Sequence, residues 1–250
     1  MTIFDAFRVR ASQGTQYITD LRKAVPKGFR GRPLVSGEPC AADCRACVEA
    51  CPTGAIALDP FTLDLGRCVF CAACEEACPK GKVTFTSHTD MGATSREELL
   101  VREDITEPVR VRASETFAKI FGRSLKMRQV SAGGCNGCEL ELNAVGNVNF
   151  DLQRFGIEWV ASPRHADALV LTGPLTHAMR DAVRLAWDAM PEPRFLVAVG
   201  ACTISGGLYE GAAGVDRAFL DEVRPALYVP GCPPHPLTFV QAILDLLDVR

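Results

Sequence analysis

The chain has 250 residues, 48% of them hydrophobic, and a formal net charge of −3. That is enough for one large domain or two modest ones, and the charge balance gives nothing to attract nucleic acid. No apolar run reaches the ~18 residues of a transmembrane helix, and the opening MTIFDAFRVRASQG lacks the apolar core and cleavage site of a secretory signal.

In chain order, residues 1–39 come first and are basic, with seven Arg or Lys against three acids. Ile3, Phe4 and Phe7, then Ile18, Leu21 and Val25, recur at helical spacing until Pro26 and Gly28 end the pattern. This amphipathic segment suits a membrane subunit or an anionic lipid surface, and equally the chain's own cysteine-rich part. Residues 40–110 form a second unit, a dense cysteine block followed by a charged, Ser/Thr-rich linker with a short helix near 95–101. The third unit, 111–250, takes on an alternating texture from about 126. Strands are predicted at 128–132, 157–161, 168–172, 195–199 and 226–229, and helices at 140–145, 176–190, 216–223 and, after Pro236, 237–247. Such alternation implies an α/β unit whose parallel sheet is covered on both faces.

Twelve cysteines are either a secreted disulfide framework or metal ligands. Without an export signal a reducing cytosol is expected, where disulfides are unfavourable. Eight of the cysteines fall in two halves, 40–51 and 68–78, that form an internal repeat. The second half, Cys68-Val69-Phe70-Cys71-Ala72-Ala73-Cys74-Glu75-Glu76-Ala77-Cys78-Pro79, is the C-x2-C-x2-C-x3-C-P run of bacterial ferredoxins. Three closely spaced thiolates on a tight loop reach one cubane, and the fourth, beyond a turn, reaches its neighbour. So Cys40, Cys44, Cys47 and Cys78 are expected to hold one 4Fe–4S cluster, and Cys51, Cys68, Cys71 and Cys74 another. The Cys40–Cys44 gap holds three residues rather than two, which should reshape that loop. Zinc asks for two ligand pairs across a longer loop, and no C-x-x-C is followed by the His of a c-type haem site.

The other four cysteines, Cys135 and Cys138 in Gly134-Cys135-Asn136-Gly137-Cys138, Cys202 in Gly200-Ala201-Cys202, and Cys232 in Gly231-Cys232-Pro233-Pro234, each follow a predicted strand. Loops at the carboxyl ends of parallel strands share one sheet edge. Three such loops can gather four thiolates, and a third 4Fe–4S cluster would use every cysteine.

These motifs resemble the family that joins the small subunit of nickel–iron hydrogenases with the 20 kDa subunit of respiratory complex I. The likeness runs from about 125 to 247 and includes 166–173, 190–193, the Cys202 loop and Val229-Pro230-Gly231-Cys232-Pro233-Pro234. Complex I members carry adjacent cysteines at the first position, whereas Cys135-Asn136-Gly137-Cys138 is spaced as in energy-converting, membrane-bound hydrogenases. The first 110 residues are similar to the ferredoxin-like subunit of complex I and formate hydrogenlyase, through Phe29-Arg30-Gly31-Arg32-Pro33 and Leu65-Gly66-Arg67-Cys68.

The resemblance implies a flavodoxin-like sheet domain carrying one cluster, preceded by a small two-cluster bacterial-ferredoxin-like domain. It implies that Cys135, Cys138, Cys202 and Cys232 bind the cluster proximal to a partner's active site. This chain would then be a non-catalytic wire of three 4Fe–4S clusters. Its expected partners are a nickel–iron hydrogenase-like large subunit, the membrane subunits of a complex-I-like assembly, and an electron-donor subunit or soluble carrier. Its place would be the cytoplasmic face of the plasma membrane. Two alternatives stay open: a complex-I-like reductase of quinone or another acceptor that lacks nickel, and a free-standing ferredoxin-type carrier. Glu139 and Glu141 either tune the proximal cluster or open a helix where the dipole favours them. His235 either donates a hydrogen bond near the cluster or has a plain interface or surface role, and His88, His165 and His177 lack ligand spacing and are expected at the surface. No dinucleotide or P-loop motif occurs.

Overall fold

The computed structural model describes residues 2–249 apart from 104–110, 112–114 and 123. Part of the expected linker therefore lies outside the described residues. No helix among those described is long and apolar enough to cross a membrane.

The chain opens with α1 (Ile3–Gln13), started by the Asp5 carboxylate accepting the Thr2 N–H at 2.7 Å. None of its residues is buried, and Ile3, Phe4 and Phe7 stand in the open. The helix thus does not pack on the cysteine-rich part, one of the two placements the sequence allowed. The second predicted turn, through Ile18, Leu21 and Val25, is not helical. The Ile18 N–H bonds the Asn149 carbonyl at 2.8 Å, and the Leu21 carbonyl accepts from Gln241 Nε2 at 2.6 Å. These bonds to the α/β unit replace intrahelical ones, so the segment becomes a strap with Leu21 buried and Val25 exposed.

The cysteine-rich part follows, with β1 (Pro33–Val35), α2 (Ala46–Glu49), β2 (Ile56–Ala57), β3 (Thr62–Asp64), α3 (Ala73–Ala77), β4 (Val83–Phe85) and β5 (Leu100–Arg102). β1 pairs antiparallel with β4, and β2, β3 and β5 form a second antiparallel sheet. The helix expected near 95–101 is a single 3-10 turn, Glu97–Leu99, that runs into β5. The Glu98 carboxylate accepts the N–H groups of Thr94 and Ser95, and pairing with β3 draws residues 100–102 into the sheet.

Beyond α4 (Glu115–Phe121) come β6 (Leu125–Ser131), α5 (Gly137–Ala144), β7 (Ile157–Trp159), β8 (Ala168–Thr172), α6 (Arg180–Asp188), β9 (Phe195–Val199), α7 (Ala201–Ser205), α8 (Ala218–Glu222), β10 (Leu227–Val229) and α9 (Pro236–Leu246). The sheet order is β10-β9-β8-β6-β7, with every pair parallel. Numbered within the sheet this is the flavodoxin-like order, whose switch point falls between β6 and β8. β8 and β9 are wholly buried, as continuous apolar strands with both faces covered must be. Val170 and Val197 face α9, which is buried along almost its whole length, while Leu169 and Leu196 face α6 through Val183.

The two parts share core. Ala198, Ile204 and Tyr228 of the α/β unit pack with the cysteine-rich cluster of Leu63, Met91 and Val101. Ala93 and Tyr228 exchange two backbone hydrogen bonds, of 3.0 and 2.8 Å. Gln241 on α9 ties three segments at once: its Nε2 donates to the Leu21 carbonyl, and its Oε1 accepts from Thr89 Oγ1 at 2.8 Å. Gln241→Leu keeps the volume but strands a buried carbonyl and a buried hydroxyl. It should cost about 2–4 kcal/mol, read as a lower urea midpoint at unchanged slope. A loss under ~0.5 kcal/mol, the size of a neutral surface change, would mean that this knot does not hold the junction.

Candidate metal centres

The cysteine-rich part groups thiols of one run with the last thiol of the other. Burial raises the Cys68 thiol to about 12 and the Cys74 thiol to about 11, and the nearby charges of Cys51 and Cys71 add to both effects. Cys51, Cys68, Cys71 and Cys74 also line one pocket. Cys47 is raised first by burial and then by its neighbours Cys78 and Cys40. Cys40 and Cys44 line an open cavity of about 530 Å³ with Phe61 and Glu103. Backbone amides point at sulfur: Ala55 N–H to Cys51 Sγ (3.2 Å), Phe70 N–H to Cys68 Sγ (3.3 Å) and Lys82 N–H to Cys78 Sγ (3.2 Å). Asp43 and Phe70, each just before the second cysteine of its run, both take positive φ (58° and 54°). The longer gap instead shows two residues on, where Arg45 has φ −124° and its repeat counterpart Ala72 has φ 67°.

The third group lies at the carboxyl edge of the parallel sheet. Cys135 and Cys138 follow β6, Cys202 opens α7 after β9, and Cys232 follows β10. Burial pushes Cys138 up most, and Glu139, Cys202, Cys232 and Cys135 push it further. Cys202 is raised to about 11 by burial and then by Cys232 and Cys135. Cys135 and Cys232 stand exposed at the edge, with Leu140, Leu208 and Tyr209 also exposed on the adjoining segments. Asn136 occupies the left-handed conformation (φ 70°) that starts α5, one of the few non-glycine residues suited to it.

Glu139 stays at the carboxyl ends of β6 and β8, beside the cysteines, where its Oε1 accepts from Thr172 Oγ1 at 2.6 Å. Burial pushes its carboxyl up, but hydrogen bonds from Ser131 and Thr172 prevail and hold it below the usual value. Burial alone raises Glu141. The His235 ring caps α9, its Nδ1 accepting the Leu237 N–H at 3.1 Å, and lies between Phe29 and Phe150. Burial lowers its pKa, and the ring is the N-cap of α9 rather than a surface group. His88, His165 and His177 are exposed.

One residue that sequence reasoning passed over is Arg217. Its guanidinium donates to the carbonyls of Cys202, Thr203 and Ile204 and so fixes the last turn of α7. Fifteen residues from the cysteine, in a loop without motif, it left no signal.

Between the second and third groups, the Cys232 loop faces Val69 and Phe70 across a cavity of about 150 Å³ that Phe29 and Arg30 also line. Among the described residues, no three His, Cys, Asp or Glu side chains close to the spacing of a single-ion site. Thiolates around one zinc ion would stand about 3.8 Å apart, given 2.3 Å bonds. All-thiol sets with amides aimed at sulfur suit the thiolate ligation of 4Fe–4S clusters.

Two family models match separate stretches of the chain. The family described as "NADH ubiquinone oxidoreductase, 20 Kd subunit" matches residues 135–246, and "4Fe-4S dicluster domain" matches 39–82. The probable membrane-bound hydrogenase subunit mbhJ of Pyrococcus furiosus is 37% identical over 133 residues, covering 53% of this chain and 79% of that subunit. The chain belongs to the 20 kDa subunit family. Formate hydrogenlyase subunit 7 of Escherichia coli is 43% identical over 48% of this chain, which spans about half of that protein's length (48%). An NADH-quinone oxidoreductase subunit of Desulfovibrio desulfuricans, another relative, is 42% identical over 45% of this chain and 61% of its own. This member of the 20 kDa family, with its 4Fe–4S domain, is a non-catalytic electron-transfer subunit of an oxidoreductase complex of the hydrogenase-like or complex-I-like kind.

Proposed function

We propose that the chain relays electrons through three 4Fe–4S clusters to or from a nickel–iron site on a partner large subunit. The setting would be a formate-hydrogenlyase-like or energy-converting hydrogenase. Cys40, Cys44, Cys47 and Cys78 would hold the first cluster, Cys51, Cys68, Cys71 and Cys74 the second, and Cys135, Cys138, Cys202 and Cys232 the third. The observation that carries this is the meeting of the Cys135-Asn136-Gly137-Cys138 loop with Cys202 and Cys232 at one sheet edge, beside a second cysteine-rich part. When bound, the clusters supply one-electron carriers. The chain's own contribution is to fix them. Amide N–H groups stabilise charge on Cys51, Cys68 and Cys78, and the shared core keeps the two cysteine-rich regions in register.

Residues 40–110 would form the ferredoxin unit and 111–250 the proximal-cluster unit, with 1–39 leading toward the membrane. The exposed edge around Cys135, Cys232, Leu140 and Leu208 suits a covering large subunit better than a free-standing carrier. Membrane subunits and an electron donor would complete the assembly on the cytoplasmic face. The spacing of the 135–138 pair and the names of two relatives favour the hydrogenase branch. The likeness to the NADH-quinone oxidoreductase relative favours a nickel-free, complex-I-like reductase as the second reading.

The test is the metal content of the native assembly, purified without oxygen. About twelve irons per chain, as three 4Fe–4S clusters require, with nickel in a co-purifying large subunit, is the expected result. The same iron without nickel would move the function to the complex-I-like reductase, and zinc in place of iron would overturn the proposal.

A further inference from the structure

The two halves of the cysteine repeat end in the same turn, Cys51-Pro52-Thr53-Gly54-Ala55-Ile56 and Cys78-Pro79-Lys80-Gly81-Lys82-Val83. In each, the glycine is left-handed (φ 59° and 62°) and its N–H returns to the cysteine carbonyl (3.4 and 3.3 Å). The next amide donates to the cysteine sulfur at 3.2 Å in both. Ile56 and Val83 then enter the core. The turns part in charge at one buried position: Ala55 is 4% exposed and Lys82 only 3%. Lys80 also replaces Thr53, and its Nζ donates to the Pro39 carbonyl at 3.3 Å, but Lys80 is exposed, so solvent screens its charge, whereas the buried Lys82 is not screened.

A buried ammonium persists only where it is paired. Lys82 Nζ stands 2.6 Å from Glu103 Oε1, donates to the Glu38 carbonyl at 2.7 Å and lies 5.4 Å from the Phe61 ring centroid. Glu38 precedes Cys40 by two residues, and Phe61 and Glu103 line the cavity of Cys40 and Cys44. The cation therefore sits between the Cys78 turn and the Cys40 loop. Burial raises the Cys78 thiol, but the amides of Lys82, Lys80 and Gly81 and the Lys82 charge prevail and lower it. Near the other set, Arg30 is exposed and bonded to the Cys71 carbonyl, and Arg67 is paired with Asp64 and Glu210.

Resting on the cluster assignment above, we propose that Lys82 raises the reduction potential of the cluster held by Cys40, Cys44, Cys47 and Cys78 above that of its repeat twin, and so makes it the member of the pair that holds the electron. Reduction there adds one electron and one negative charge and makes or breaks no bond. A fixed buried cation favours the more negative state. Glu103 opposes that field, so the two residues should act with opposite sign.

The test is a dithionite titration of the full chain, followed by electron paramagnetic resonance, for the parent, Lys82→Met and Glu103→Gln, with iron counted in each. In Lys82→Met, one of three redox steps should become at least about tenfold harder to reduce, or ~59 mV for one electron. In Glu103→Gln, the same step should become easier to reduce, with the other two steps fixed in both variants. If all the iron is present and no step moves, or both variants shift it in the same direction, Lys82 is structural and the proposal falls. If Lys82→Met loses about four irons, Glu103→Gln decides alone: an upward shift supports the proposal and an unmoved step overturns it. A parent chain with fewer than about twelve irons would instead remove the cluster assignment itself.

Discussion

Gly200→Ala is expected to strip the sheet-edge site of its iron while the ferredoxin part stays loaded, so that iron falls from about twelve to about eight per chain. Gly200 has φ 86°, and a Cβ there would stand 2.7 Å from Cys138 Sγ. The extended positive-φ conformation (φ 86°, ψ 154°) alone costs an L-residue roughly 1–3 kcal/mol, but the contact is worse. The backbone cannot yield easily, because Gly200 N–H bonds the Val229 carbonyl and Ala201 N–H bonds the Gly231 carbonyl, both at 2.9 Å. The sulfur must move instead, and it is the most strongly buried of its group. Gly211→Ala is the control: φ is 74° there, and a Cβ would meet nothing within 4 Å. That variant should keep all its iron. Equal loss in both would blame strain rather than contact, and full iron in Gly200→Ala would mean that Cys138 is not a ligand.

Much of this was legible because its causes are local. Strands 168–172 and 195–199 announce themselves as apolar runs between turn signals, and the structure has them at those residues. The strands carry the cysteine loops, so the sheet edge could be foreseen from the position of Cys135, Cys202 and Cys232 after strands. What escaped depends on partners distant in sequence. Ile18, Leu21 and Val25 have helical spacing, yet Asn149 and Gln241 take their backbone partners and pull them into a strap. Glu97–Leu99 makes only one 3-10 turn because β3, more than thirty residues earlier, claims the residues that follow. Arg217 and Lys82 act through carbonyls and carboxylates that no spacing rule brings near them. Glu139 sits beside a cysteine in sequence, but its bond to Thr172 shows only once β6 and β8 lie side by side.

The second large effect expected concerns how the eight ferredoxin cysteines divide. Cys44→Ser and Cys78→Ser should each remove about four irons and leave the same residual spectrum. Cys51→Ser and Cys71→Ser should likewise agree with each other but leave a different one. The reason is the turn at the end of each run. At Cys78 the backbone leaves α3 in an extended conformation (φ −85°, ψ 113°), which carries its sulfur away from Cys74 and toward Cys47. Cys51 makes the reciprocal exchange and lies among Cys68 and Cys74. Each set thus draws thiols from both halves of the repeat, so each cluster would cross-link 40–51 to 68–78. Losing either one should loosen the whole unit rather than half of it, and all four variants should show a similar fall in thermal midpoint. If Cys78→Ser matches Cys71→Ser in its residual spectrum, the runs ligate separately and the crossed assignment is wrong.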